Sequence, residues 1–375
     1  MNGDLTLGRL AGVQIRINWS WFVVFALIVW SLTATVFPSQ NPDLSDGVYL
    51  AMGVAAALLF FASVLLHELG HAWQARRDGI EIEGITLWLF GGVAQFKGGF
   101  PSSGAEFRTA IAGPLVSLGL GVGFVLLALA RLPSAVDGVA AWLGYINLSL
   151  LVFNLIPALP LDGGRVLRAA LWRRRGDLGW ATRVAADIGR GFGYLFIALG
   201  VLMFIVDGSF SGAWLAFIGW FLLQAATAEA RYVATEQALA GLQVGDLMER
   251  NPVTVDPDLT VGRFMDEIAR SRRFTAYPVV ERSGRPAGLL SFSSVAAVPR
   301  SDWDSRRVRE SMTPLDQIPL LAESTRAVDA LADLSSRPGA NRGLVVSNGH
   351  LDGLLSVTDL ALALEARRPP PPVRA

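Results

Sequence analysis

Cysteine is missing altogether, which excludes disulfides and thiolate-ligated metal centres and leaves the redox character of the compartment open. Histidine is scarce, three residues in 375, so two of them set one helical turn apart ask for a chemical reason. Charged residues make up only 17% of the chain and cancel, 32 basic against 32 acidic. Without a basic surplus there is no electrostatic footprint for nucleic acid, and no such partner is expected. No A-x-A-like cleavage site follows the first apolar run, so that run is expected to remain as a membrane helix. What fills the chain instead is apolar: 52% of residues are hydrophobic, the mean hydropathy is +0.43, and long runs carry no charge. An ordinary soluble protein is excluded, and several membrane-spanning helices are expected.

Six spans are expected, near Asn18–Phe37, Val48–Trp73, Phe107–Leu129, Val139–Pro157, Gly191–Val206 and Gly212–Ala228, within a membrane domain covering residues 1–230. The residues before Asn18 read as a short segment of mixed polarity. Glu81–Phe96 lacks a helical repeat and reads as two short strands around Gly91-Gly92. Span four runs into Pro157, Pro160 and Gly163-Gly164, which break the helix at membrane depth. Irregular backbone there is tolerated only where it lines a cavity or is packed by protein. Arg9, Arg16, Arg76, Arg77, Lys97, Arg108 and the arginines from Arg165 to Arg190 fall on one side of the spans; Arg131 stands alone on the other. By the positive-inside rule both termini are cytoplasmic, in a cytoplasmic membrane. After a linker at 231–243 the composition turns soluble. Two similar halves follow, 244–299 and 306–366, each alternating strands and helices, and the proline-rich tail 367–375 is expected to be disordered.

The densest chemistry is His67-Glu68-Leu69-Gly70-His71. On a helix the two imidazoles share one face, one turn apart, and can hold one metal ion, while Glu68 can reach a metal-bound water. A chance H-E-x-x-H is the bland alternative, but ionisable groups inside an apolar span are functional by default. Two histidines leave a catalytic zinc one protein ligand short, and the third should be anionic. Asp162 fits best, at the broken end of span four, although it could instead only cap the helix that follows. Zinc would bring the pKa of its water to about 7, and Glu68 would take the proton. Asn154 could donate to a developing oxyanion; Asn154 and Asn147 could equally be packing glue between helices.

Leu66 through His71, Gly113-Pro114 and Asn154 through Gly164 together resemble the site-2 proteases, intramembrane zinc metalloproteases, over about Leu5 to Ala228. The resemblance implies His67, His71 and Asp162 as ligands of one zinc per chain, Glu68 as general base and Asn154 as a transition-state aid. It also implies a membrane-embedded β element at Gly91-Gly92, whose edge would bind an unwound substrate strand. No PDZ-like insert lies between the spans, a departure from another branch of that family. The soluble halves resemble a tandem CBS pair. Ser356-x-x-Asp359 matches the ribose-binding pattern of nucleotide-binding members, implying ATP, ADP or AMP there. Ser291-x-x-Ser294 in the first half lacks the carboxylate.

The expected fold is thus a multi-pass α-helical membrane domain of six transmembrane helices with a small membrane-associated β element, followed by an α/β tandem CBS domain that pairs two copies into a homodimer. The expected activity is zinc-dependent intramembrane proteolysis of transmembrane segments in signalling proteins such as anti-sigma factors. The rivals are a CBS-regulated transporter or channel, for which Glu68 has no obvious use, and a catalytically dead nucleotide sensor, against which the intact His67, Glu68, His71 and Asp162 speak.

Overall fold

A computed structural model describes residues 4–10, 12–89, 91–130, 132–208, 210–270, 274–336 and 341–367. The tail from residue 368 lies outside them. The chain divides into two units, Met1–Arg231 and Tyr232–Ala375.

Among the described residues, six helices are long and apolar enough to cross a membrane: α1 (Trp19–Gln40), α2 (Asp46–Arg77), α3 (Ser103–Ala128), α4 (Ser134–Asn154), α6 (Leu178–Val206) and α7 (Phe210–Leu239). A shorter helix, α5 (Asp162–Arg175), stands between α4 and α6. Caps define the starts. The Asn18 side chain accepts from the Ser20 N–H at 3.1 Å, Ser102 from Ala105 at 3.2 Å, and Asp177 from Trp180 at 2.9 Å. α5 ends where Gly176 takes a left-handed conformation, φ 75°, after Arg173, Arg174 and Arg175 have placed positive charge in its last turn.

Span ends shift by a few residues from the sequence expectation, and two boundaries shift further. α6 begins at Leu178, not Gly191, because Arg183, Asp187 and Arg190 lower the hydropathy of its first turns without interrupting the helix. α7 continues to Leu239, through most of the stretch expected to be a linker.

The N-terminal segment is also more ordered than its mixed polarity suggests. It forms β1 (Asp4–Leu10) and β2 (Val13–Asn18), which join β3 (Ile82–Trp88) and β4 (Gly91–Phe96) in one sheet of order β1-β2-β3-β4. β2 and β3 pair in parallel, Ile15 opposite Ile85, and the outer pairs are antiparallel. Val13, Ile15 and Ile17 are buried while Gln14, Arg16 and Asn18 are half-buried, the period-2 signature of a strand with one covered face. That face rests on α2: Val13, Ile15 and Ile85 cluster with Ala72, and Ile17 and Leu87 with Val64. α2, the helix of the H-E-x-x-H, therefore packs against the sheet as well as against α3 and α4.

Among the described residues the second unit holds two sheets. In one, β6 (Ala276–Val280), β7 (Pro286–Ser291) and β8 (Thr313–Pro314) run in order; the other has order β5-β11-β10-β9, with β5 (Glu249–Arg250), β9 (Leu320–Leu321), β10 (Arg342–Ser347) and β11 (His350–Ser356). The halves exchange their leading segments. β5 pairs with β11, while β8 pairs with β7. Val244 and Met248 join the core of Leu321, Leu334, Val345 and Leu360, whereas Val308 joins that of Val255, Phe264 and Leu290.

Candidate metal centre

α2 presents His67 and His71 on one buried face. The backs of both rings are tied to α3. His71 Nδ1 lies 2.7 Å from the Thr109 carbonyl, and His67 Nδ1 lies 2.8 Å from Ser117 Oγ. A carbonyl can only accept, so Nδ1 of His71 carries a proton, and its Nε2 is the atom left to face a metal when the ring is neutral. The two Nε2 atoms converge to 3.1 Å. Asp162, in the first turn of α5, completes the group: Oδ2 is 3.2 Å from His67 Nε2 and Oδ1 is 3.3 Å from His71 Nε2. One donor atom from each of the three residues falls within 4.8 Å of the others.

These donors suit a zinc ion. Tetrahedral ligands at ordinary zinc distances lie about 3.3 Å from one another, close to the separations of 3.1, 3.2 and 3.3 Å found here. Imidazole nitrogen and carboxylate oxygen are both normal zinc donors, and three of them leave a position for water. Three such donor atoms aimed at one point inside an apolar span suit a cation bound between them.

Gly113 of α3 keeps the site open. A Cβ there would stand 2.2 Å from His71 Nε2 and 2.6 Å from His67 Nε2. Thr109, Gly113 and Ser117 follow one another at intervals of four and form a single buried stripe of α3. The sequence reading missed Thr109 and Ser117, although a polar, glycine, polar series at that spacing in an apolar span was the available signal.

Glu68 follows His67 on α2 and turns toward the sheet. A Cβ on Gly92 would come within 2.4 Å of Glu68 Cγ, so β4 runs directly beside the carboxylate. Gly91 and Gly92 open β4 rather than forming the turn itself, and β4 is an edge strand. Asn147 is absorbed by packing: its amide donates to the Leu143 carbonyl at 2.8 Å. Asn154 is the last residue of α4 and half-buried. Among the described residues no hydrogen bond joins its amide to Glu68 or to the three donors.

In the second unit, Ser356 and Asp359 form a capping box at the start of the last helix, α10 once the helices Phe292–Ala296 (α8) and Ala327–Ser336 (α9) are numbered. Asp359 Oδ2 accepts from the Ser356 backbone N–H at 2.8 Å and from its hydroxyl at 2.6 Å. The first-half counterparts, Ser291 and Ser294, bond to each other at 2.7 Å.

Known proteins resemble this chain over most of its length. The model of Peptidase family M50 matches residues 55–138 and 130–199, and that of the CBS domain matches residues 244–300. Rip3 of Mycobacterium tuberculosis is 38% identical, over 98% of this chain and 94% of its own. MJ0392 of Methanocaldococcus jannaschii is 31% identical, over 97% of each chain. Both carry zinc metalloprotease in their names. Among solved structures, the site-2 protease from Methanocaldococcus jannaschii is 29% identical, covers 61% of this chain and 95% of its own, and superposes with a TM-score of 0.43.

Proposed function

Because the chain belongs to Peptidase family M50, we propose that its membrane unit is an intramembrane endopeptidase in which His67, His71 and Asp162 hold one zinc ion and Glu68 is the general base. At the coarser level the protein is a multi-pass membrane zinc metalloprotease of the site-2 protease family with a C-terminal CBS domain. The observation that carries the finer reading is the convergence of two imidazole Nε2 atoms and one carboxylate, with the backs of the rings fixed by Thr109 and Ser117.

Bound there, the zinc ion would acidify water and polarise the scissile carbonyl. The remaining work falls to side chains. Glu68, one residue from a donor, takes the proton from water and returns it to the leaving amine. Thr109 and Ser117 hold the imidazoles in register. Gly91 and Gly92, on the edge strand beside Glu68, accept an extended substrate segment, which exposes an amide that a helix would hide. Asn154 is proposed as the donor to the developing oxyanion. The substrates are transmembrane segments of membrane-anchored signalling proteins, anti-sigma factors among them.

The six spans are proposed to lie in the cytoplasmic membrane with both termini in the cytoplasm, which a reporter fused at either end or inserted at Pro38–Asp46 would test. The CBS pair is proposed to join two copies and to bind one adenine nucleotide at Ser356 and Asp359, with proteolysis responding only if the nucleotide favours one of two conformations.

The deciding experiment measures metal by mass spectrometry together with cleavage of a transmembrane substrate. Wild type should hold about one zinc per chain. His67→Ala, His71→Ala and Asp162→Ala should each lose it, whereas Glu68→Gln should keep zinc and trap uncut substrate. Full zinc in Asp162→Ala would remove that residue from the ligand set.

A further inference from the structure

Three helices of the membrane unit meet at a buried guanidinium that no role above uses. Arg168 lies on α5, six residues after Asp162. Its Nε donates to Glu106 Oε1 of α3 at 2.5 Å, Nη2 pairs with the same oxygen, and Nη1 donates to Glu229 Oε1 of α7 at 2.7 Å. Arg168 and Glu106 are both buried, and among the described residues Glu106 Oε2 has no hydrogen-bond partner. Glu106 begins the stripe that continues through Thr109, Gly113 and Ser117. One side chain thus fastens the helix that carries Asp162 to the helix that orients both imidazoles.

We infer that Arg168 is a positioning residue for the metal centre, holding Asp162 in register with His67 and His71 through Glu106, with Glu229 bracing it from α7. The inference rests on the metalloprotease reading. α5 packs on α3 and α6, and among the described residues Arg168 gives it its polar ties to other helices besides those of Asp162 itself. It is 14 residues long, it follows the irregular segment Leu155–Leu161, and it stops at Gly176. A metal ligand must be placed to within about 0.2 Å. The planar, always-charged fork of arginine can bond two carboxylates at once in a fixed geometry, which a lysine ammonium cannot reproduce. A buried ion cluster is a poor source of stability compared with apolar packing, so geometric specification is the reason to keep one here. Among the described residues no hydrogen bond joins Arg168 to the three donors, so it acts through the helices.

The test uses the full-length chain in detergent, loaded with Co2+ in place of zinc, with the visible absorption of the bound ion and chelator competition as readouts. Arg168→Lys should weaken metal binding about 10- to 100-fold and alter the cobalt spectrum. Glu229→Gln should give a smaller loss, because the bond to Glu106 survives. Arg168→Lys leaves Glu106 poorly matched and can fail to fold. The decisive variant is therefore the neutral combination Glu106→Gln, Arg168→Met and Glu229→Gln, which leaves no lone buried charge. An altered cobalt spectrum and weakened affinity in that variant support the inference; a wild-type spectrum and affinity overturn it, whatever its melting temperature. Absence of metal binding in the wild type would instead sink the metalloprotease reading, and this inference with it.

Discussion

A single methyl group placed on Gly113 should abolish metal binding. The Cβ of Gly113→Ala would stand 2.2 Å from His71 Nε2, 2.5 Å from its Cε1 and 2.6 Å from His67 Nε2. Ordinary contact begins at 3.4 Å, so the nearer ring must retreat by about 1.2 Å, several times the roughly 0.2 Å that a metal site tolerates. The rings cannot retreat freely, because Thr109 and Ser117 of the same helix grip their far sides. Misplacement by about 1 Å costs on the order of 100-fold in rate even where a site survives; here the donors themselves are displaced, so zinc affinity should fall by at least as much. Gly119→Ala is the matched control: it lies on the same helix, its added Cβ meets nothing within 4 Å, and zinc content should be unchanged. Metal analysis of the three purified proteins, with cleavage of a transmembrane substrate alongside, checks the expectation. Gly113→Ala holding one zinc per chain and cutting at the wild-type rate would refute the placement of the site against α3.

Ser117→Ala removes the partner of His67 Nδ1 and should weaken zinc binding about 10-fold or more while leaving the fold intact, read by chelator competition. Ser356→Ala removes the hydroxyl that caps the Asp359 N–H and should cost the second unit about 1 kcal/mol, seen by thermal unfolding without nucleotide. Asp78, at the end of α2, has its carboxyl held below the ordinary range by the hydrogen bond from Arg108, helped by one from Gln74 and opposed by desolvation. A carboxyl lowered in the folded state adds stability above its unfolded value near pH 4 and loses it as pH falls through the folded one. The deficit of Asp78→Asn should therefore be at most about 1 kcal/mol at neutral pH, since Arg108 is half exposed, and should shrink below about pH 4. A deficit that widens on acidification would contradict this.

Much of this was legible in the residues because membrane spans and metal motifs write themselves locally. Twenty apolar residues announce a helix without reference to anything else, and all six spans were found. His67, Glu68 and His71 share one turn, and Asp162 sits at a conspicuous helix break. What escaped depends on pairing at a distance. Val13, Ile15 and Ile17 alternate as a strand, but the partner that makes them one lies at Ile85. Thr109 and Ser117 look like ordinary small polar residues until α2 packs on α3. Arg168 belonged to a run of arginines that reads as a solvated, cytoplasmic charge, and only Glu106 and Glu229, on two other helices, draw it inside. The Ser356–Asp359 spacing that resembles a nucleotide site also forms a capping box at the start of α10, which only the backbone reveals.

The parallel pairing of β2 with β3 carries a parity rule. β2 leads into α1 and β3 follows α2, so the two strands can pair only if the start of α1 and the end of α2 lie on the same side of the bilayer. The chain must therefore cross an even number of times between Asn18 and Ile82. A molecule in which α1 failed to insert, or α2 entered without it, would put β2 and β3 on opposite faces. The sheet could not close, and Ile15 would lose its place against Ile85 and Ala72. Correct insertion of the first helix pair is thus checked by the fold itself, with no reference to the arginines that flank it.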